Sequence, residues 1–487
     1  MSKAKKNDQE KFAGMKVLIM GLGLHGGGLE SARYLAERGA ELTVTDLSDE
    51  KTLAPSIEKL EAGNKYRIRY VLGRHEEADF KNADMVIKNP GVRSDSSYLR
   101  LARRIETDIS LFLAENPARI LAVTGSKGKS VSASALYWVL LAARQEGKLP
   151  GKAWLGGNIT VSPLSFLNEL KSEDDVVLEL SSWQLGDLRD RPLLKPRAAL
   201  ITAIMRDHQD RYDSMESYVA DKRLVYRKQD DSCVTVAWDD IWGRSFLAET
   251  PGRSLLCAEH PLPETCAGGW ITGPKEAGYA RLWEKNGRTM SVFGELRPVV
   301  PETLLIPGYH QKKNLLSAAV VLLDLGLDSD FILSNLGAFP GVGHRLEFFQ
   351  ESGGVRYYND SASTVPEAAA AALESFDCRI ALVAGGADKN LDFSPLVKAA
   401  SDMRDRLAPV ILLAGSGSEK LRPLLEAAGL KYRGPFDDVN TAARAAADEA
   451  YSGDAVILSP GCASFGMFLN EFDRGNKWKE AVARIGC

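Results

Sequence analysis

Three runs of aliphatic and β-branched residues, each followed at once by a glycine-rich turn, constrain the fold of this chain more than any other feature. The runs cover residues 16–20, 119–124 and 379–384, and the turns cover 21–26, 125–130 and 385–389. Short buried strands that enter helices through glycine turns are typical of parallel sheets. The sequence therefore predicts an α/β protein.

Six further short strands are predicted, and several of them end at a Gly, Asp or Ser cluster. Ligands of parallel sheets bind beyond the carboxyl ends of the strands, so these clusters mark candidate sites. The six strands cover residues 41–45, 84–88, 176–180, 198–202, 410–414 and 455–459.

A chain of 487 residues is too long for one small core, which predicts several domains. We place the boundaries near Pro117 and Pro340, which gives domains of residues 1–116, 117–340 and 341–487. Residues 243–303 are richer in Gly and Pro, and we expect them to form an irregular insertion.

Composition excludes several classes of protein. The net charge of −4 and the pI near 6.0 give no basic excess for a nucleic-acid partner. Residues 1–10 are polar, unlike a signal peptide, and the apolar run 130–143 is too short for a transmembrane segment. The six scattered cysteines form no CxxC pair, which indicates reduced thiols in a cytoplasmic protein.

Residues 125–130, Gly-Ser-Lys-Gly-Lys-Ser, resemble a phosphate-binding loop between a strand and a helix. In such a loop backbone N–H groups surround phosphates, the lysine neutralises them and the hydroxyl reaches Mg²⁺. Lys129 and Ser130 fit those two positions, but Val123 replaces the usual first glycine, so the loop is a tighter variant. The alternative is a glycine turn that carries a lysine by chance.

Three later residues have the chemistry of metal binding. Glu179 ends a buried strand, where a carboxylate is costly unless it is paired or bound to a metal. His208 lies between aspartates after the next predicted strand, and Lys222 follows on a helix. Taken alone, Glu179 has an edge-strand glutamate as its alternative, whereas a lone histidine is more often a structural or surface residue and a lone helix lysine is normally solvated.

These motifs, in this order, resemble the Mur ligase family over essentially the whole chain. The family motif Gly-x-His-Asn-x-x-Asn corresponds to residues 308–314, where Gln311 replaces the first Asn and Asn314 is the second. The matching segments are 124–130, 157–158, 179–184, 207–210 with Lys222, 308–314, 344–347 and 359–361.

The resemblance implies a cytoplasmic, monomeric ATP-dependent ligase that joins a carboxylate to an amine through an acyl phosphate. It implies a Rossmann-like N-terminal domain that binds UDP, a central ATPase domain with a parallel sheet and a C-terminal Rossmann-like domain. Within the family, the chain most resembles the branch that adds D-glutamate to UDP-N-acetylmuramoyl-L-alanine in peptidoglycan precursor synthesis. The segments that carry this finer match are the turn at 21–26, Asn89–Gly91 and 459–465.

Four alternatives stay open at this point. The first is a sister Mur ligase with another acceptor, and the second is a folylpolyglutamate synthase, which the UDP-type first domain disfavours. A non-catalytic nucleotide-binding regulator is disfavoured by the retention of Lys129, Glu179, His208 and Lys222 together. An NAD oxidoreductase would explain the first glycine turn, but it would not explain the second phosphate loop.

The resemblance also implies a role for each matching residue. ATP would contact Gly125, Ser126, Lys127, Gly128, Lys129, Ser130, Asn314, Arg345 and Asp360. Two Mg²⁺ ions would bind Ser130, Glu179, His208 and Lys222, with Lys222 converted to a carbamate that supplies oxygen ligands. The muramoyl substrate would contact Gly23, Leu24, His25, Asp46, Asn89 and Asn158. The amino acid would contact Thr364, Lys389, Ser464 and Phe465.

Two positions depart from the family pattern. The usual Asn-Asp-Ser-Lys ends here in Ala362, so one lysine near the incoming amino acid is missing. Glu471 stands where an aromatic residue is expected. Both changes fall in the expected amino-acid pocket.

Overall fold

The computed structural model describes residues 11–24, 26–62, 66–159, 161–206, 211–282, 284–286, 289–291 and 295–485. These residues form two compact units. The first unit holds the described residues up to Ile271 together with those of Tyr279–Val299 and Leu316–Ile332, and the second unit holds the rest. The predicted domain boundaries at Pro117 and Pro340 stay predictions.

The first unit begins with a parallel sheet in which five described strands have the order β3-β2-β1-β4-β5. The strands are β1 (Lys16–Met20), β2 (Glu41–Asp46), β3 (Ile68–Leu72), β4 (Met85–Lys88) and β5 (Ile105–Glu106). The helices that cover them are α1 (Gly27–Ala36), α2 (Glu50–Glu61), α3 (Glu77–Asn82) and α4 (Asp108–Glu115).

A second sheet has nine strands in the described chain, in the order β16-β13-β12-β11-β10-β9-β6-β8-β7. The strands are β6 (Arg119–Thr124), β7 (Ala153–Gly157), β8 (Asp175–Glu179), β9 (Ala198–Ile201), β10 (Val234–Trp238), β11 (Arg253–Ala258), β12 (Gly268–Trp270), β13 (Gly278–Arg281) and β16 (Arg297–Val300), and a separate hairpin pairs β14 (Glu284–Asn286) with β15 (Thr289–Ser291). The helices are α5 (Lys129–Gln145), α6 (Ser182–Gly186), α7 (Met215–Arg223), α8 (Ile241–Glu249), α9 (Tyr309–Asp324) and α10 (Ser329–Gly337).

The prediction that residues 243–303 form an irregular insertion is wrong. Helix α8 lies there, and β11, β12, β13 and β16 extend the second sheet. The glycines that suggested irregularity permit close packing instead. A Cβ on Gly268 would lie 1.9 Å from the carbonyl oxygen of Leu256 on the neighbouring strand, and one on Gly269 would lie 2.8 Å from Val320.

The second unit contains a sheet of six described strands in the order β17-β18-β22-β19-β20-β21. Only the β17–β18 pair of this sheet is antiparallel. The strands are β17 (Glu347–Ser352), β18 (Val355–Asn359), β19 (Ile380–Gly385), β20 (Val410–Leu413), β21 (Tyr432–Phe436) and β22 (Ala455–Leu458). The helices are α11 (Pro366–Glu374), α12 (Ser394–Asp402), α13 (Ser416–Ala427), α14 (Val439–Asp448) and α15 (Glu471–Ala483).

The local sequence explains how α6 begins directly behind a candidate site residue. All five residues of β8 are buried, and the strand ends at Glu179. Ser181 then caps α6: its hydroxyl accepts from the N–H of Gln184, whose side chain accepts from the N–H of Ser181. A cap of this type stabilises a helix by about 1 kcal/mol.

All nine predicted strands form, and the observed bounds differ from the predicted ones by no more than one residue at either end. Fold class α/β is therefore confirmed. Five of the cysteines lie in the described chain, and those five are unbridged. Among the described residues, no helix is both long enough and apolar enough to cross a membrane.

Candidate active site

The loop between β6 and α5 has the backbone of a phosphate cradle. Gly125 has φ +140°, and a Cβ there would lie 1.9 Å from Thr202 Oγ1. Gly128 has φ 88° and is the residue that precedes the first turn of α5, a helix of 17 residues. Residues with a side chain rarely adopt either conformation, so the loop needs glycine at both positions. This backbone leads into the N-terminus of a long helix, where anions bind.

Ser126 fixes this loop to the rest of the unit. Its hydroxyl donates to the carbonyl oxygen of Met205 at 3.0 Å and accepts from the N–H of Met205 at 3.0 Å. Because the single hydroxyl proton is used in the first bond, Tyr218 donates its own proton to Ser126 Oγ at 2.8 Å. Tyr218 therefore helps to hold the loop in place through Ser126.

Two lysines bring positive charge to the same backbone carbonyl. Lys129 Nζ donates to the carbonyl oxygens of Gly125 at 3.1 Å and Ser126 at 3.0 Å. Lys222, which is 1% exposed, donates to the Gly125 carbonyl at 2.7 Å and lies 4.4 Å from the centre of the Tyr218 ring. The buried position excludes the solvated lysine that was the alternative for Lys222.

Glu179 lies beside the loop because β8 pairs with β6, with Glu179 opposite Val123. Its side chain is 1% exposed, and Oε1 accepts from Asn158 Nδ2 at 3.0 Å. Its Oε2 has no hydrogen-bond partner among the described residues. A buried carboxylate oxygen left unpaired is costly, so this position fits a bound cation.

Not every predicted metal ligand can be placed. Ser130 is the second residue of α5, and Glu179 and Lys222 lie beside the same loop, but His208 lies outside the described residues. The described chain contains no group of three or more His, Cys, Asp or Glu side chains that could hold a metal ion. The predicted set differs from such a cluster, because it includes a hydroxyl and a modified lysine.

The first glycine turn gathers three of the predicted UDP-site residues. The N–H of Gly23 donates to Asp46 Oδ2 at 3.2 Å, and Asn89 Nδ2 donates to the carbonyl oxygen of Gly21 at 3.2 Å. Leu24 is 51% exposed, and Leu47, which the sequence did not single out, is 70% exposed. His25 lies outside the described residues.

In the second unit, a strained turn presents Arg345 to solvent. His344 and Leu346 have φ values of 62° and 45°, which is uncommon for residues other than glycine. The N–H of His344 donates to Glu347 Oε2 at 2.9 Å, and the N–H of Leu346 donates to Asp360 Oδ1 at 3.1 Å. Non-glycine residues with such φ values typically cost about 1–3 kcal/mol and cluster at functional sites.

Asp360 anchors that turn instead of facing solvent. It is 5% exposed, and its Oδ2 accepts from the hydroxyls of Ser363 and Ser459. Burial raises the pKa of Asp360 to about 6. The structure brings Arg345 and Asp360 together, with Asp360 behind the turn.

Asn314 lies in the second turn of α9 and donates to Gln311 Oε1 at 3.2 Å. Lys312 lies between them in sequence and is 4% exposed. Its ammonium group donates to the carbonyl oxygens of Pro274, Glu276 and Glu302 at 2.8, 2.8 and 2.6 Å. The sequence did not single out this lysine.

The predicted amino-acid residues lie on loops at the carboxyl ends of β18, β19 and β22. The N–H of Gly461 donates to the Ser363 carbonyl at 2.9 Å, and Ala387 and Ala463 exchange two hydrogen bonds of 3.0 Å. These bonds join the loops that carry Thr364, Lys389 and Ser464. Lys389 is exposed, Ser464 is buried, and Phe465 is 66% exposed.

Sequence reasoning also missed two buried residues, each of which holds a different loop of the candidate site. Arg474 is fully buried and donates to Ser361 Oγ, the Ser361 carbonyl and the Cys462 carbonyl at 2.9, 2.9 and 3.0 Å. Burial lowers its pKa to about 10. Tyr218 is the other, and its place four residues before Lys222 on one helix was a usable signal.

Three family models match the chain. They are the Mur ligase MurD-like, N-terminal domain over residues 15–110, the Mur ligase middle domain over residues 123–322, and the Mur ligase, glutamate ligase domain over residues 344–462. The UDP-N-acetylmuramoylalanine--D-glutamate ligase of Treponema pallidum is 40% identical, and the match covers 97% of this chain and 98% of that protein. The enzyme of the same name from Borreliella burgdorferi is 39% identical, with 98% and 99% covered.

This chain belongs to the Mur ligase family. The family resemblance inferred from the motifs is thereby confirmed. The alternatives outside this family, which were the folylpolyglutamate synthase and the NAD oxidoreductase, are set aside because a Mur ligase match extends over nearly the whole chain.

Solved structures of other Mur ligases share the fold. The UDP-N-acetylmuramate-alanine ligase of Thermotoga maritima has a TM-score of 0.56 at 17% identity, with 97% of this chain and 100% of that chain covered. The UDP-N-acetylmuramoylalanyl-D-glutamyl-2,6-diaminopimelate--D-alanyl-D-alanyl ligase of Acinetobacter baumannii has a TM-score of 0.54 at 14% identity, with 99% and 98% covered. Identities this low establish the fold alone, which confirms the predicted architecture.

Proposed function

We propose that this chain is an ATP-dependent ligase that adds D-glutamate to UDP-N-acetylmuramoyl-L-alanine in peptidoglycan precursor synthesis. Relatives with that name match it at 39–40% identity over nearly their whole length. The structural observation that carries the chemistry is the phosphate loop with two lysines on the Gly125 carbonyl and a half-paired Glu179 alongside.

The reaction explains why so much positive charge is needed. The substrate carboxylate attacks the γ-phosphate of ATP, and both groups are anions. Two unit charges about 4 Å apart repel by roughly 4 kcal/mol at an effective dielectric near 20. A phosphate with about two charges doubles this to roughly 8 kcal/mol, or about six decades in rate. Lys129 neutralises part of that charge.

Two Mg²⁺ ions would supply the remaining charge stabilisation at the phosphates when bound. We propose that Ser130 and Glu179 hold the first ion and that His208 and Lys222 serve the second. Mg²⁺ prefers oxygen ligands, so Lys222 would act as a carbamate formed with CO₂. A carbamate nitrogen keeps one N–H, which preserves the donor to the Gly125 carbonyl seen here.

The remaining roles follow the family resemblance. The UDP-muramoyl group would contact Gly23, Leu24, His25, Asp46 and Asn89, and Asn158 would orient the reacting carboxylate. The exposed Leu24 and Leu47 lie at the carboxyl ends of β1 and β2 and would offer apolar surface to the uracil ring. Further contacts to ATP would come from Asn314, Arg345 and Asp360.

D-glutamate would contact Thr364, Lys389, Ser464 and Phe465. Because Ala362 removes a cation that the family usually has there, a sister ligase with another acceptor is the second candidate. We further propose three domains, residues 1–116, 117–340 and 341–487, and a cytoplasmic monomer.

The test is phosphate release from ATP by the purified chain. We expect release to require Mg²⁺, UDP-N-acetylmuramoyl-L-alanine and an amino acid together, and Lys129→Ala to fall below about 10% of wild type, a loss above about 1.4 kcal/mol. Release without the UDP-sugar, or equal release by Lys129→Ala, would refute the proposal. A UDP-sugar should also raise the melting temperature, whereas NAD should not.

A further inference from the structure

A buried ion pair joins the first two sheets beside the proposed substrate turn. Lys88 is the last residue of β4, and its Nζ lies 2.7 Å from Asp187 Oδ2. The two side chains are 2% and 10% exposed. Asp187 is the residue that follows α6, so the pair connects the carboxyl end of a first-sheet strand to a helix of the second sheet.

The segment that begins at Lys88 has two more ties to the same region. Ser94 Oγ donates to Asp187 Oδ1 at 3.3 Å, so both carboxylate oxygens of Asp187 bind this segment. Arg211 donates to the Gly91 carbonyl at 3.1 Å, and its guanidinium lies 3.9 Å from the centre of the Trp183 ring on α6. We name residues 88–94 the tethered turn.

Each end of this connection carries a residue of the proposed chemistry. Asn89, in the tethered turn, donates to the Gly21 carbonyl of the first glycine turn. On the other side, α6 begins three residues after Glu179, and the Ser181 cap fixes the first turn of this helix. The ion pair therefore connects the tethered turn, which contacts the first glycine turn, to the helix that follows Glu179.

We propose that Lys88 and Asp187 are positioning residues that align the UDP-muramoyl substrate with the phosphate loop. The inference rests on the proposed function, because it assumes that the muramoyl substrate lies along Asn89. Neither side chain touches a reacting atom in this account. Their effect passes through the tethered turn, so it should appear in the binding of the UDP-sugar and not in the binding of ATP.

The test compares Lys88→Met and Asp187→Asn with wild type in steady-state kinetics. Each variant should raise the KM for UDP-N-acetylmuramoyl-L-alanine at least tenfold, while the KM for ATP stays within twofold. Lys88→Arg keeps the charge and should restore most of the affinity. Direct titration of the UDP-sugar against the folded protein gives the same comparison without turnover.

Asp175→Asn is the matched control. Asp175 lies at the other end of β8, is fully buried and accepts from the half-exposed Arg119 and from the buried Arg144, so Asp175→Asn also breaks a buried ion pair. We expect it to lower stability, as measured by urea unfolding, and to leave both KM values within twofold.

Wild-type enzyme that is inactive would refute the proposed function. Active wild type with an unchanged UDP-sugar KM in both variants, or equal losses for ATP, would overturn the positioning role alone.

Discussion

Asn158 donates from Nδ2 to Glu179 Oε1 at 3.0 Å and leaves Glu179 Oε2 without a partner among the described residues. A backbone hydrogen bond joins the same two residues, because the N–H of Asn158 donates to the Glu179 carbonyl at 2.8 Å. A residue proposed to orient the muramoyl carboxylate thus also holds the proposed metal ligand. The two roles are coupled through one buried carboxylate.

Glu179→Gln should lower phosphate release at least 100-fold, a loss of about 2.7 kcal/mol. The amide oxygen can keep the bond from Asn158, but the side chain loses the charge that a Mg²⁺ ion requires. Binding of ATP without Mg²⁺, measured by titration, should stay within threefold of wild type. Full activity in Glu179→Gln would remove Glu179 from the metal site.

Lys222→Ala should be nearly inactive, and a small added carboxylic acid should restore part of the activity. The added carboxylate would supply the oxygens that the carbamate provides in the wild-type site. Alanine substitution of Lys148, an exposed lysine beyond the end of α5, is the matched control and should leave phosphate release unchanged. A crystal structure with nucleotide and both metals bound to a bare Lys222 ammonium would contradict the carbamate.

Much of the fold could be predicted because the informative patterns are local. The strand at 16–20 and the turn after it are adjacent in sequence, and so are Lys129 and the loop that it neutralises. Lys88 and Asp187 are 99 residues apart, and nothing local marks either one. The glycines near 268 were misinterpreted because composition does not distinguish close strand packing from irregular structure.

Substitution of Asp108 should change the pH dependence of stability. Burial raises the pKa of Asp108 from 3.8 to about 6 in the folded protein. Well below pH 3.8 the carboxyl is neutral in both states. Between pH 3.8 and about 6 the unfolded state loses its proton while the folded state keeps it, so the free energy of unfolding falls as pH rises and then levels off. Asp108→Asn removes that loss, so its unfolding free energy should exceed that of wild type by up to about 3 kcal/mol at pH 7 and converge near pH 4.

Urea unfolding of both proteins between pH 4 and pH 7 measures this difference. The isosteric amide can keep the bond that Asp108 Oδ1 accepts from the N–H of Ile109. A difference that is constant with pH would mean that Asp108 stays ionised in the folded protein throughout this range.

Lys389→Ala should raise the KM for D-glutamate far more than the KM for ATP. Lys389 lies on the loop after β19, beside the loops of Thr364 and Ser464, and Ala362 leaves no lysine at the usual neighbouring position. A lost charged hydrogen bond costs on the order of 1.5–3 kcal/mol. Lys398→Ala, on α12 of the same unit, is the control and should change neither KM. An unchanged KM for D-glutamate in Lys389→Ala would show that this pocket is misassigned.

The most direct measurement of the central claim is the acceptor preference of the wild-type enzyme. Phosphate release is measured with ATP, Mg²⁺ and UDP-N-acetylmuramoyl-L-alanine, and D-glutamate, L-glutamate, D-alanine and meso-diaminopimelate are supplied in turn. We predict the highest kcat/KM for D-glutamate, with a KM above that of relatives that keep the lysine replaced here by Ala362, and a product heavier than the UDP substrate by one glutamate residue. A higher kcat/KM for L-glutamate or for an uncharged amino acid would contradict the account.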